Sequence, residues 1–288
     1  MEGRSMDLIC DERPSDSPFV ETIWRSHSEH DSTFISMAEI HCGVVVMKHE
    51  GKAILTVRGP ETGPTHAFCP ADAEFFGIQF RAGAFMPNLP ARIVMDRHDV
   101  NLPEASRKSF WLNGSAWQFP DYENADTFVG RLVRDGLLVY DPVIGAALNG
   151  QPAGMSLRTV QRRFLQATGL THDLMYQIER ARHATTLLKQ GLPILDTVDQ
   201  AGYFDQSHLT RSLKHFIGLT PAQIMDQNRS ERLSFLYKTT SLSRVTILST
   251  IDENNEKNPI RVPVAEWSRG SARKPMSSRQ TPMVVSFD

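Results

Sequence analysis

The chain has 288 residues, 40% hydrophobic and 22% charged, with a formal net charge of −2. At about 100–200 residues per domain this length favours two domains, and the balance is that of a chain with a buried core, not a disordered one. No apolar run approaches the ~18 residues of a membrane span, and the opening MEGRSMDLICDE lacks the apolar stretch of a secretory signal. Three cysteines (Cys10, Cys42, Cys69) without a C-x-x-C exclude a disulfide scaffold and give no support to a zinc ribbon. Reduced thiols and a cytoplasmic location are therefore expected.

Residues 1–18, with the run DERPSDSP, read as a flexible N-terminus. From residue 19 to about 119, short apolar runs at 34–40, 44–47, 53–57 and 75–80 alternate with turn signals such as Gly51, Gly59-Pro60, Gly63-Pro64 and Gly83. Many short strands with turns between them predict a sandwich or small barrel. Residues 124–139 change period. Phe128, Leu132, Leu137 and Leu138 recur near helical spacing among charged residues, predicting an amphipathic helix that ends near Asp141-Pro142. A β-rich domain over 19–141 follows. Residues 148–154 (LNGQPAG) form a short connector, and 155–224 read as successive helices. Residues 230–288 hold 15 Ser and Thr and 4 Pro with few apolar clusters; they are expected to be mostly disordered, with 242–248 a weak strand candidate.

Charge is divided unevenly. Residues 1–150 carry 13 Lys and Arg against 21 Asp and Glu, whereas 151–229 carry 9 against 6 and 230–288 again 9 against 6. An acidic front and a mildly basic back imply different partners.

The most informative feature is a self-match at an offset of 49 residues. Gly169-Leu170-Thr171 recurs as Gly218-Leu219-Thr220, Phe164 matches Leu213, Arg162 matches Arg211, Val160 matches Leu209 and Ser156 matches Asp205. Ser156 and Asp205 are good helix N-caps, since a short side-chain oxygen accepts from the free N–H groups of the first turn. The same unit thus occurs twice: cap, amphipathic helix, glycine stop, Leu-Thr. In the first copy Leu157, Val160 and Phe164 make the apolar side, with Arg158, Thr159, Arg162 and Gln166 opposite and Gln161 at the boundary. In the second, Leu209, Leu213, Phe216 and Ile217 make the buried stripe, while Ser207, His208, Arg211, Lys214 and His215 face away and Gln206 sits on the first turn. These polar faces hold long donors and, apart from the Asp205 cap, no carboxylate. That composition suits the acceptors on base edges and phosphates.

Before the second copy, 194–201 reads as a short helix with Gly202 at the turn, the pattern of a helix-turn-helix. Residues 142–148 and 152–155 would supply the equivalent first helix and turn. Between the copies, residues 174–188 predict a helix about 24 Å long at 1.5 Å per residue. Recognition helices in successive major grooves sit about 34 Å apart, so a connector of this order lets one chain read two turns.

The stretches SLRTVQRRFLQATGLT, IERARHATTLLKQG and AGYFDQSHLTRSLKHFIGLTPAQI resemble the DNA-binding region of the AraC/XylS family of bacterial transcription regulators over residues 142–229. Gly202-Tyr203, Gln206-Ser207, Arg211, Phe216, Gly218 and Thr220-Pro221 fall in that family's pattern and order. The resemblance implies an α+β multidomain fold: a β-rich N-terminal barrel- or sandwich-like domain, then an all-α domain with two helix-turn-helix units joined by a linker helix. It implies sequence-specific binding to promoter DNA through Arg158, Thr159, Gln161 and Arg162 in the first helix and Gln206, Ser207, His208 and Arg211 in the second. The front, around SPFVETIWRSHSE, LTVRGPET and FGIQFRAGAFMPNLP, is similar to the amino-terminal domain of one branch of these regulators, which implies ligand sensing, dimerisation or both. Implied partners are double-stranded DNA, RNA polymerase, a small-molecule effector and a second copy of the chain; no membrane, cofactor or enzymatic activity is expected.

Other chemistry is thinly supported. His27/His30 and His66/Cys69 have i,i+3 spacing that metals use, but no clustered His-x-His with a carboxylate accompanies them, so no metal is expected. No G-x-S-x-G, P-loop, Rossmann fingerprint or His-Glu-x-x-His occurs. Trp24, Phe75, Phe76, Phe80, Trp111 and Trp117 are read as core before pocket, and Arg81 and Arg97 as possible counter-charges to an anionic ligand. The alternatives are a metal-dependent or small-molecule-binding enzyme on the front domain, or a protein-interaction module.

Overall fold

The computed structural model describes residues 9–96, 99–148, 155–226 and 232–233. The front part contains β1 (Ile9–Arg13), β2 (Val20–Ser28), β3 (Ser32–Ser36), β4 (Gly43–His49), β5 (Lys52–Arg58), β6 (Thr65–Cys69), β7 (Ala73–Phe80), β8 (Ala84–Phe85), α1 (Ala91–Val94), β9 (Val100–Asn101), β10 (Glu104–Ser106), β11 (Ser109–Leu112), β12 (Ser115–Gln118), α2 (Ala125–Arg134) and β13 (Val139–Tyr140). The remainder is α3 (Pro142–Leu148), α4 (Leu157–Thr168), α5 (His172–Lys189), α6 (Ile194–Gln200), α7 (Gln206–Phe216), α8 (Pro221–Met225) and β14 (Arg232–Leu233).

The front is built on a six-stranded antiparallel sheet in the order β1-β2-β7-β4-β5-β9. Its period-2 alternation puts Ile23, Val44, Val46, Leu55, Val57, Phe76, Ile78 and Phe80 into one core, closed by Phe110, Leu112 and Trp117 of the β11–β12 hairpin and Phe128 and Leu132 of α2. On the other face Trp24 is buried against Gly77, where a Cβ would come within 2.2 Å of the indole; only glycine leaves that space. Both hairpins carry two positive-φ residues at the turn, Glu50-Gly51 and Asn113-Gly114, the arrangement that matches strand twist.

Three expectations need correction. The flexible N-terminus over 1–18 instead supplies β1 from Ile9, paired along β2. The helix expected over 124–139 stops at Arg134, because Gly136 turns to φ 69° and Val139 leaves to pair with β8. The run at 34–40 stops being strand at Ser36, after which Glu39 and Glu61 form an isolated bridge. Within 230–288, Arg232–Leu233 pairs in parallel with β3; the rest of that region, with the strand candidate at 242–248, lies outside the described residues.

The helices share a second core with the front. Ile35, Met37, Ala38 and Ile40 pack among Phe164, Met175, Ile178, Ala181, Leu213, Phe216 and Ile217. The Ala38 amide donates to the Phe216 carbonyl at 2.8 Å. α5 packs on α6, α7 and α8, while α4 packs on α3 and on α1 and β8 of the front. No helix among the described residues is long and apolar enough to cross a membrane.

Candidate nucleic-acid interface

α4 and α7 are built alike. Ser156 caps α4, its hydroxyl accepting from the Thr159 amide at 3.3 Å, and Asp205 caps α7, accepting from the His208 amide at 2.6 Å. α4 ends at Gly169, φ 72°, a left-handed stop that glycine adopts without strain. Each helix buries one stripe: Phe164 and Ala167 in α4, and Leu209, Leu213 and Phe216 in α7.

The residues expected to read DNA lie on the opposite faces. Arg158, Gln161, Arg162, Gln206, Ser207 and Arg211 are exposed; Thr159 and His208 are half-buried. No ion pair engages Arg158, Arg162, Arg211 or Lys214 among the described residues. Thr159 differs from the rest, its hydroxyl lying 2.9 Å from that of Ser156 within the cap. Arg163, one residue on from Arg162, turns to the fold instead and pairs with Asp141 at 3.0 Å, tying α4 to the start of α3. His208 stacks edge-on against Tyr203, and burial, with the charges of Arg180 and Arg211, holds its imidazole below the usual range. This favours the neutral form, in which one ring nitrogen is a donor and the other an acceptor.

The second pair, α6 and α7, is held by its turn. Gly202 takes φ 69°, Tyr203 is buried with its hydroxyl 2.9 Å from that of Ser212, and Arg180 of α5 lies 4.4 Å over the Tyr203 ring while reaching the Gly202 carbonyl at 3.4 Å. The 18-residue α5 spans about 27 Å at 1.5 Å per residue. Its N-terminus follows α4 and its length is fixed against α6, α7 and α8.

The front domain also holds α5 directly. Arg182, on the buried stripe of α5, donates to the Ala38 carbonyl at 3.0 Å and pairs with Glu39 at 3.1 Å and Glu179 at 3.7 Å. Glu39 also accepts from His41 Nδ1 at 2.5 Å. Burial alone would raise the Glu39 carboxyl, but the Arg182 charge and then His41 overcome it and hold it at about 2. His41 is lowered by burial and more than recovered by Glu39, ending above its usual value; Glu179 is raised by burial, which Arg182 only partly offsets. Glu39, His41, Arg58, Glu61, Gln79 and Arg182 surround a cavity of about 30 Å³, room for an ordered water. Sequence reasoning missed this cluster. Its one signal was a charged residue, Arg182, in the apolar stripe of the connector helix.

The other candidates disperse. Trp24, Phe76, Phe80 and Trp117 are buried, Trp111 is exposed, and Phe75 and Phe76 alone of the six aromatics line a cleft of about 410 Å³, with Arg25, Lys48, Glu74 and Tyr122. Arg81 pairs with Glu21 at 3.4 Å, and Arg97 lies outside the described residues. No group of three His, Cys, Asp or Glu suited to a metal occurs among the described residues.

Residues 151–227 match the family described as a helix-turn-helix domain. A 70-residue stretch is 43% identical to the HTH-type transcriptional regulator VirS of Mycobacterium tuberculosis, in strains CDC 1551 / Oshkosh and ATCC 25618 / H37Rv alike. That similarity covers 24% of this chain and spans a fifth (20%) of the length of those relatives. No solved structure matches. Residues 151–227 are therefore a helix-turn-helix domain similar to that of an AraC-type transcription regulator.

Proposed function

We propose that the chain is a sequence-specific transcription regulator that inserts α4 and α7 into successive major grooves of promoter DNA. The observation that carries this reading is the pair of matched helices whose exposed faces hold Arg158, Gln161 and Arg162 on one and Gln206, Ser207 and Arg211 on the other, with no intramolecular ion pair among the described residues. On this reading α3–α4 and α6–α7 are two helix-turn-helix units and α5 is the spacer between them. Arginine pairs bidentately with guanine and glutamine with adenine, while Lys214 and the first-turn amides not taken by the caps hold phosphates. His208, neutral and partly covered, offers one donor or one acceptor to a base edge.

The β-rich front over 19–141, barrel- or sandwich-like, is the proposed sensor, and its cleft of about 410 Å³ is within the ~300–1,000 Å³ range of small-molecule sites. The division at 141/142 falls between β13 and α3. Contacts with RNA polymerase and a second copy belong to the same proposal.

The test is selection of sites from a random duplex library by the full chain at fixed salt. The expected result is one motif spanning about two helical turns, lost in the Arg162→Ala/Arg211→Ala double variant. Weak, salt-sensitive binding without a motif would return attention to the interaction-module reading.

A further inference from the structure

Phe204 is 91% exposed, the most exposed large apolar side chain among the described residues. Single exposed apolar residues are common on protein surfaces; what distinguishes Phe204 is its place. It directly precedes Asp205, the N-cap of α7, and so occupies the position from which an apolar side chain usually folds back onto the fourth helical residue. Here that residue is Leu209, fully buried, and the inward place is taken by Tyr203, fixed by Ser212 and by the overlying Arg180. With Tyr203 turned in, its neighbour projects outward. The phenyl ring therefore stands exposed at the N-terminal end of α7, next in sequence to the exposed polar residues Asp205, Gln206 and Ser207.

We infer that Phe204 is a specificity-determining residue that makes apolar contact with the C5-methyl group of a thymine at the edge of the second half-site. The inference rests on the proposed insertion of α7 into a major groove. A recognition helix presents its N-terminal residues to base edges, and the thymine methyl is the one apolar feature the major groove offers. Gln206 and Ser207 on the first turn of α7, and Arg211 further along the same helix, are exposed polar side chains, which favours nucleic acid over an apolar protein surface as the occupant.

The experiment uses the full chain, its selected duplex, and duplexes in which each thymine of the second half-site is replaced in turn by deoxyuridine, which removes only the methyl. For the wild-type chain, one position should lose about fourfold in affinity, the worth of burying one methyl-sized group. Phe204→Leu should keep part of that discrimination, and Phe204→Ser should bind the two duplexes equally. Thermal melting of both variants verifies the fold, which an almost fully exposed side chain does not support. If the wild type selects a motif that Arg211→Ala destroys, but Phe204→Ser shows the same thymine–uracil difference as wild type, or no position responds, this inference fails while the regulator reading stands. If no motif is selected at all, both fail.

Discussion

Arg162 and Arg211 hold equivalent places in the two copies of the helical unit, each exposed on a helix whose opposite stripe is buried. Their direction was legible because a 3.6-residue period fixes which side chains share a face, whatever the fold around them. What the period could not separate was function among neighbours. Arg163 lies next to Arg162 yet closes on Asp141, and the Thr159 hydroxyl is engaged with Ser156. Arg211→Ala should weaken binding to a selected site by about 1–3 kcal/mol and relax the preference at one base pair, as titration against single-base variants would show. Lys214→Ala, a phosphate contact on this account, should weaken all sequences alike and reduce the slope of log affinity against log salt by about 1. A base-specific loss at Lys214 would reverse the assignment.

The two helices begin and end by devices visible in sequence: a short polar cap before the apolar stripe and a glycine after it. Ser156, Thr171, Asp205 and Thr220 all accept from an amide three residues on. Asp205→Ala should therefore destabilise the fold by about 1 kcal/mol, measured by denaturant unfolding, and Asp205→Asn should restore most of the loss. Gly169→Ala forces a Cβ into φ 72° and should be destabilising, whereas Gly130→Ala, in open space inside α2, should be neutral or stabilising. Other elements were less legible. The Asn113-Gly114 hairpin carries a strong local turn signal, but the end of α2 depends on Val139 pairing with Phe85, residues far apart in sequence. A helical stripe continues on paper through Leu137 and Leu138 because both are buried anyway, in the turn between α2 and β13.

The two parts are joined by contacts that no sequence pattern could reveal. Arg182 reaches Ala38 across 144 positions, and four apolar residues of the front complete the helical core. Removing one member of such a buried pair leaves the other uncompensated, so Arg182→Ala should lower stability by about 3–5 kcal/mol. A double Glu39→Gln/Arg182→Leu chain should recover part of that loss. The cluster also sets a pH window. Glu39 is held below its ordinary 4.5, so its contribution is present above about 4.5 and is lost as pH falls towards 2. His41 is held above 6.5, so its contribution is complete below 6.5 and is lost as pH rises through its elevated value. Full-chain stability should fall on both sides of that window, and Glu39→Gln should flatten both limbs.

The central claim is that one chain occupies two successive major grooves. Guanine-methylation interference on the selected duplex, with the full chain at fixed salt, tests it most directly, since N7 methylation blocks major-groove contacts. The account predicts two patches of interference on one face, centred about 10–10.5 base pairs apart, with Arg162→Ala weakening interference within one patch and Arg211→Ala within the other. A single patch, or two patches that vanish together in either variant, would contradict it.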